Sequence, residues 1–435
     1  MKEKEKIQMR KQNMKLFPLY KTLGWDYLFF YTTNFLFLTQ VKGIDAADVV
    51  LIDSFYALFG ILMQIPATFV IEYLGRRKSL ILANILNCVY MLVVMFSTNL
   101  FHLIVAELLS SLAFGIKDSA EPAILNESIP PSKYRSQIYA RITQKGISNY
   151  YIINAITTVL AGFFYDVNPY IPISLALAVT IFVTLLSIGL REPQEAKKKH
   201  KVQQSNQLAQ IKDSFQFILK SERLKSLILF SAIVTGVSSV LGTYEINLLE
   251  DLQVSASLLG MIFAGLGIMA GIAAKKQEKF HEHFHNRSLC TLMYITAITM
   301  ILAGFFGILA KQYVIFILFI VLSFAIRYSS KGIYEPLIEK YLSNFTNHEI
   351  DTKIFTATNL IGSIVSAIIG FMASFLLENM NIAYAFSLVG VVFFITIVLM
   401  DRYMKTRVGL KPEEYPKEEV KYDELAKKDE KVESK

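Results

Sequence analysis

A chain of 435 residues that is 53% hydrophobic and only 18% charged, with 32 Phe and a mean hydropathy of +0.42, is too apolar for a soluble globule of its size. The composition specifies a polytopic membrane protein. Its net charge of +8, from 44 Lys and Arg against 36 Asp and Glu, fits membrane topology and contact with anionic lipid, so no nucleic-acid partner is expected.

In chain order, residues 1–15, "MKEKEKIQMRKQNMK", read as a cytoplasmic N-terminus, and no small-residue cleavage site follows the first apolar run, which is therefore a retained helix. A ~30 Å hydrocarbon core needs roughly 20 helical residues. Six such runs fill an N-terminal bundle over residues 16–190: Leu19–Gln40, Val49–Leu74, Leu80–Ser97, Leu100–Leu125, Ile138–Tyr165 and Tyr170–Leu190. A cytoplasmic linker follows over 191–223. Six more runs fill a C-terminal bundle over 224–404: Leu224–Leu249, Leu258–Ala274, Leu289–Ala310, Tyr313–Tyr334, Ile354–Leu377 and Ala383–Tyr403. Residues 405–435 mix charges with almost no apolar residues and are expected to be a disordered cytoplasmic tail.

Lys and Arg gather in the even-numbered connections and at the termini, which places both termini in the cytoplasm and the chain in the cell (plasma) membrane. The halves also repeat. "LAFGIKDS" (Leu112–Ser119) matches "LSFAIRYS" (Leu322–Ser329), with Lys117 facing Arg327, and Ser79-Leu80 matches Ser288-Leu289. An even number of spans per half makes the repeat parallel, the architecture of secondary transporters. The expected fold is an all-α integral membrane protein with twelve transmembrane helices in two parallel six-helix bundles.

The stretch "IPATFVIEYLGRRKSL" holds Glu72, Gly75, Arg76, Arg77 and Lys78, an acidic residue, two spacers, a glycine and a basic cluster between the second and third spans. This resembles the cytoplasmic signature of the major facilitator superfamily, and "QIP" with "EPAILNES" resembles its prokaryotic drug and macrolide efflux branch. The resemblance implies the major facilitator fold and transport by alternating access. Independently of it, Gly75 permits a tight turn, and the three basic side chains sit where they can pair with carboxylates and helix C-termini, as a gate on the cytoplasmic side. Glu121, Arg141 and Glu335, near helix ends, are expected to join that gate.

Buried charge locates the other candidates. A mid-membrane Asp, Lys or Arg costs ~2.5–3.5 kcal/mol to insert, so a fourth span carrying Glu107, Lys117, Asp118 and Glu121 must turn a face to protein or water. Glu107 and Asp118 are the leading cavity or proton-coupling carboxylates, and Glu245 and Asp53, near external helix ends, are weaker ones. Tyr31, Asn34, Lys117, Asn154, Tyr244, Arg327 and Lys331 are candidate cavity residues, contributed by several helices. Antiporters of the resembled branch carry Arg in the fourth span and a Gly-Pro pair in the fifth; here Glu107 and a lone Gly162 stand instead.

No Walker-type loop points to ATP, and no nucleophile with base and orienter points to an enzyme. Cys88 and Cys290 lie in separate spans, and the alternate His281, His283 and His285 lack structured zinc spacing, so no metal or other cofactor is expected beyond a proton gradient. The reading is a monomeric transporter of a small molecule in contact with membrane lipid. Proton-coupled efflux of an amphipathic compound leads, uptake or exchange of a polar or anionic metabolite is the alternative, and a membrane sensor without transport is a remote third.

Overall fold

The computed structural model describes residues 3–130, 134–191, 222–344 and 351–407, and among these every regular element is a helix. Residues 408–435 of the expected tail and nearly all of the expected linker lie outside the described residues, whereas 405–407 end the last helix.

The first span is not one helix over Leu19–Gln40. Helix α1 runs over Glu3–Gly24, and after Trp25–Phe30 the chain resumes as α2, Tyr31–Leu36, continued by a π-helical turn at Phe37–Val41. The break has local causes. Asp26 Oδ1 accepts from Tyr27 N at 2.7 Å, which offers the backbone an alternative to the helix. Phe29 takes a φ of 66°, incompatible with a continuing right-handed helix. Lys117 Nζ donates to the Gly24 carbonyl, one of the oxygens that the end of α1 leaves without an intrahelical donor. The polar start of α1 is itself packed: Asn13 is fully buried, donates to Ser128 Oγ and to Arg191 O at 2.7 Å each, and accepts from Arg191 N at 3.0 Å.

The second span is bent rather than broken. Helices α3 (Ala46–Leu62) and α4 (Gln64–Leu74) meet at 52°, because Pro66 has no N–H to give the Leu62 carbonyl and its ring crowds that oxygen. Gly75 then turns the chain at φ 81°, a conformation that side chains resist, into α5 (Arg76–Phe96). Helix α6 (Leu100–Ser128) starts on Asn99, whose side chain accepts from His102 N at 3.0 Å; α7 (Arg135–Val167) and α8 (Tyr170–Gly189) follow. Beyond the linker come α9 (Glu222–Asp251), α10 (Ala256–Ala274), the short α11 (Gln277–Phe284), α12 (Ser288–Ala310), α13 (Phe316–Asn344), α14 (Asp351–Asn379) and α15 (Ile382–Arg407). Among the described residues ten helices are long and apolar enough to cross a membrane singly, and α3 with α4, taken as one bent span, makes eleven. The first expected span falls on the interrupted α1–α2 segment, which is not among these eleven.

The chain divides into two compact units, residues 1–205 with 255–264 and residues 206–254 with 265–435. In the first, Ala67, Ala83, Ala113 and Ile116 bring α4, α5 and α6 together. Small residues let backbones approach closely, which matters in lipid, where apolar burial between helices drives little. Tyr20, Leu80, Ala120, Ile124, Val183 and Leu190 join α1, α5, α6 and the end of α8. In the second unit a Cβ on Gly332 would overlap the Ala270 carbonyl, so α13 and α10 touch backbone to backbone. Large apolar side chains such as Phe101, Leu185, Leu318 and Phe375 are exposed, the outward face that lipid requires.

Candidate functional site

In the first unit the charged face of α6 is divided between two environments. Glu121, expected at a cytoplasmic gate, is buried; it accepts from Lys21 Nζ at 2.6 Å and from Tyr20 Oη at 3.0 Å. Lys117 Nζ lies 4.0 Å from its other oxygen, one helical turn away, and donates to the Gly24 carbonyl. Lys117 is thus a buried ammonium that braces the break in the first span rather than an open cavity cation. Asn84 Nδ2 donates to Tyr20 Oη at 3.3 Å and completes the network.

The second environment is built of tyrosines and carboxylates. Tyr27, in the break, donates to Asn87 Oδ1 at 2.9 Å and shares a hydrogen bond with Ser110 Oγ at 3.1 Å. Its ring stacks on Tyr90, with centroids 5.1 Å apart, and meets the Phe114 edge at 5.6 Å. Tyr90 Oη donates to Glu107 Oε1 at 3.2 Å. Asp53, on α3, lies within electrostatic reach of Glu107, and the Tyr56 hydroxyl lies within reach of Glu107, Asp26 and Asp118 together. Asp118 is exposed on its helix, a position that a carboxylate in a membrane span holds only where water or polar protein faces it. Among the described residues no Lys or Arg nitrogen stands within ion-pairing distance of Glu107, in contrast to Glu121.

Glu107 and Asp53 are therefore neighbours, Asp118 and Asp26 are linked to Glu107 through Tyr56, and Tyr90 and Asn87 join through Tyr27. Asp26, Tyr56, Asn87 and Tyr90 lie in apolar or aromatic runs where a single polar group does not stand out; the one usable signal was the chain's lone Trp beside Asp26. Tyr31 is exposed on α2. Asn34 is half-buried, with no hydrogen-bond partner for its Oδ1 among the described residues, and Asn154 on α7 is half-buried.

The second unit answers differently. Glu245 is fully buried and Arg327 is 5% exposed; Arg327 Nη2 donates to Glu245 Oε2 at 2.5 Å while Nε pairs with the other oxygen. The Nη2 hydrogen bond is charge-assisted, and the Nε contact is an ion-pair approach beside it. The Arg327 guanidinium also lies 4.4 Å from the centre of the Tyr328 ring. Tyr244 is buried, and its hydroxyl donates to the Ala373 carbonyl at 2.7 Å. Lys331 and Glu335 form an exposed pair at 3.6 Å one turn apart, and a small recess reaches from Arg327 to Lys331 and Tyr334.

The loop after the second span ties down the first unit. Arg76 pairs with Glu127 at the end of α6, and Arg77 Nη2 donates to the Ile188 carbonyl at the end of α8 at 2.8 Å. Ser79 Oγ donates to Gly75 O at 2.8 Å and to Val70 O at 3.1 Å. Glu72, Lys78 and Arg141 are exposed. In the corresponding loop of the second half, His281 is buried on α11 with its Nδ1 3.3 Å from Ser288 Oγ, and His283 packs edge-on against Phe284 at 4.7 Å. Among the described residues no group of three His, Cys, Asp or Glu side chains is placed to hold a metal, and Cys88 and Cys290 are in no disulfide.

Comparison with known proteins follows from this geometry. A sequence profile described as Major Facilitator Superfamily matches residues 22–330. The uncharacterized MFS-type transporter YxaM of Bacillus subtilis (strain 168) is 21% identical over 250 residues, which are 56% of this chain and 60% of that protein. The chain thus spans less than two thirds of the length of that curated relative. Two crystal structures of the nucleoside transporter NupG superpose with TM-scores of 0.69 and 0.67 at 14% identity, over 92% and 93% of this chain and 100% of theirs. A D-xylose-proton symporter superposes with a TM-score of 0.65 at 13% identity, over 91% of this chain and 98% of its own. Likeness at these identities concerns the fold. With the profile covering well over half the chain and the helical architecture agreeing, the chain belongs to the major facilitator superfamily.

Proposed function

We propose that this protein is a secondary transporter that moves a polar small molecule by alternating access, coupled to protons through Glu107, and that it is not an enzyme. One observation carries the coupling. Glu107 lies in a membrane span and is held by the Tyr90 phenol, with no cation in ion-pairing range among the described residues. Such a carboxyl can gain or lose a proton without breaking an ion pair, whereas Glu121 and Glu245 are each committed to a cation. Asp53 and Asp118 complete an acidic lining in which the proton and cargo can compete.

The nucleoside and xylose-proton transporters among the structural neighbours support a polar cargo over a drug. Efflux of an amphipathic compound is the second reading, favoured by the stacked Tyr27 and Tyr90 rings and by the resemblance of "EPAILNES" to efflux proteins. Arg76 and Arg77 serve as a latch that holds the ends of α6 and α8 in one state of the cycle. The setting proposed is the plasma membrane, with both termini cytoplasmic and the monomer as the working unit.

The test is flux in proteoliposomes of known orientation, with internal pH followed while nucleosides, a pentose, small amines and organic acids are added in turn. The proposal expects at least one polar solute to move protons. If labelled solutes cross or exchange with no proton movement, proton coupling is wrong; if none crosses and none exchanges, transport itself is wrong.

A further inference from the structure

The break in the first span carries a feature that the transport reading leaves unused. Trp25, the only Trp in the chain, is 38% exposed at the break, directly before Asp26. Asp26 is held by two donors, Tyr27 N at 2.7 Å and Tyr150 Oη at 3.4 Å, and among the described residues no Lys or Arg nitrogen is within ion-pairing distance of it. The rings of Trp25 and Tyr150 are 6.3 Å apart and tilted, Tyr151 meets Tyr150 edge-on at 5.4 Å, and Tyr31, 53% exposed, lies within electrostatic reach of the Tyr150 hydroxyl. A carboxylate set among tilted aromatic rings, open on one side, is the arrangement that captures organic ammonium groups: the ring faces attract the cation and the carboxylate supplies the counter-charge.

Two further observations bear on the site. Lys21 Nζ sits 4.3 Å over the Trp25 ring and is paired with Glu121 at 2.6 Å, so the cation already beside the ring is neutralised. The local charge is also acidic: Asp26, Asp118, Glu107 and Glu121 share this region with Lys21 and Lys117, and both lysines are engaged by Glu121 or by the Gly24 carbonyl. A cationic ligand lowers that excess, whereas an anionic one adds to it.

We infer that Trp25, Asp26, Tyr150 and Tyr151 form a subsite for an organic ammonium group, so that the cargo carries a basic or quaternary nitrogen. The inference rests on the transport reading for its biological meaning, but its binding test does not.

Because Trp25 is the only Trp, its emission reports on this site alone. The full chain in lipid nanodiscs is titrated with benzyltrimethylammonium and choline, with 3,3-dimethylbutanol as the neutral isostere of choline and benzoate as an anion. The expected result is a saturable change in Trp25 emission with the two cations and none with the other two. Asp26→Asn should weaken cation binding roughly tenfold or more, and Asp26→Glu should restore most of it. Each variant is compared at equal monodispersity; should Asp26→Asn not fold, Tyr151→Leu, which removes an exposed ring, is expected to weaken the same cations several-fold.

A response that is equal for choline and its neutral isostere, no saturable response to either cation, or an Asp26→Asn or Tyr151→Leu protein that binds as the parent does would overturn the inference. Proton movement in liposomes without cation binding at Trp25 would sink the subsite alone. Cation binding without any flux would sink the transport reading alone.

Discussion

Replacing Arg327 with Met removes the one ion-pair partner that Glu245 has among the described residues and leaves its carboxylate in a buried site. The side chains of Glu245 and Arg327 are 0% and 6% exposed, so the discount that solvent imposes on surface pairs does not apply. Breaking such a pair from one side costs ~3–5 kcal/mol, because the remaining charge keeps its desolvation penalty and loses its compensation. At roughly 2–4 °C per kcal/mol for a unit of about 200 residues, Arg327→Met should lower the unfolding midpoint by roughly 6–20 °C. The double change Glu245→Leu with Arg327→Met should regain most of that, since neutral packing of similar volume is often as stable as the pair. Cys290, buried on α12 in the same unit, is the reporter: in a Cys88→Ser background its reaction with a thiol-specific fluorophore on heating follows exposure of the second unit. A single variant as stable as its parent, or a double variant no better than the single, would refute the argument from desolvation.

Asn13→Ala removes three hydrogen bonds, one of them buried, while Ser128 keeps its bond to the Ile124 carbonyl and Arg191 is exposed; at ~0.5–1.5 kcal/mol per lost bond it should lower the thermal midpoint measured in nanodiscs. Gly75→Ala forces a side chain into φ 81° and ψ 158°, a strain of ~1–3 kcal/mol, and should slow solute flux by pulling Arg76 away from Glu127. Arg76→Gln, by contrast, breaks a pair whose side chains are 15% and 26% exposed; its effect on the thermal midpoint should correspond to less than ~1 kcal/mol while flux falls. Lys117→Met frees the Gly24 carbonyl and should speed amide hydrogen exchange over Trp25–Phe30, leaving exchange in α9 unchanged.

The membrane spans were legible because each is a long apolar run whose length answers to the bilayer; the bend at Pro66 was not expected, although a missing N–H accounts for it. The break after Gly24 was not, since "WDYLFF" reads as more apolar helix. What stabilises the break is a lysine 93 positions away, and hydropathy carries no record of that contact. The charges of α6 and α13 were found because they are costly in lipid, but their fates diverged with their partners. Glu245 and Arg327, 82 positions apart, became one buried pair, and Tyr244 beside them points its hydroxyl at a backbone carbonyl. The partners of Glu107 stayed hidden for the opposite reason. Tyr90 and Asn87 are single uncharged groups in an apolar helix, and only folding sets them opposite a carboxylate.

The central claim is that Glu107 exchanges the coupling proton, and Glu107→Gln tests it most directly when two modes of flux are measured in the same liposomes. The account predicts that the Gln variant, fixed as a neutral mimic of the protonated carboxyl, still exchanges labelled for unlabelled solute across the bilayer but no longer accumulates solute under an imposed pH gradient. Undiminished accumulation driven by that gradient in Glu107→Gln would contradict it.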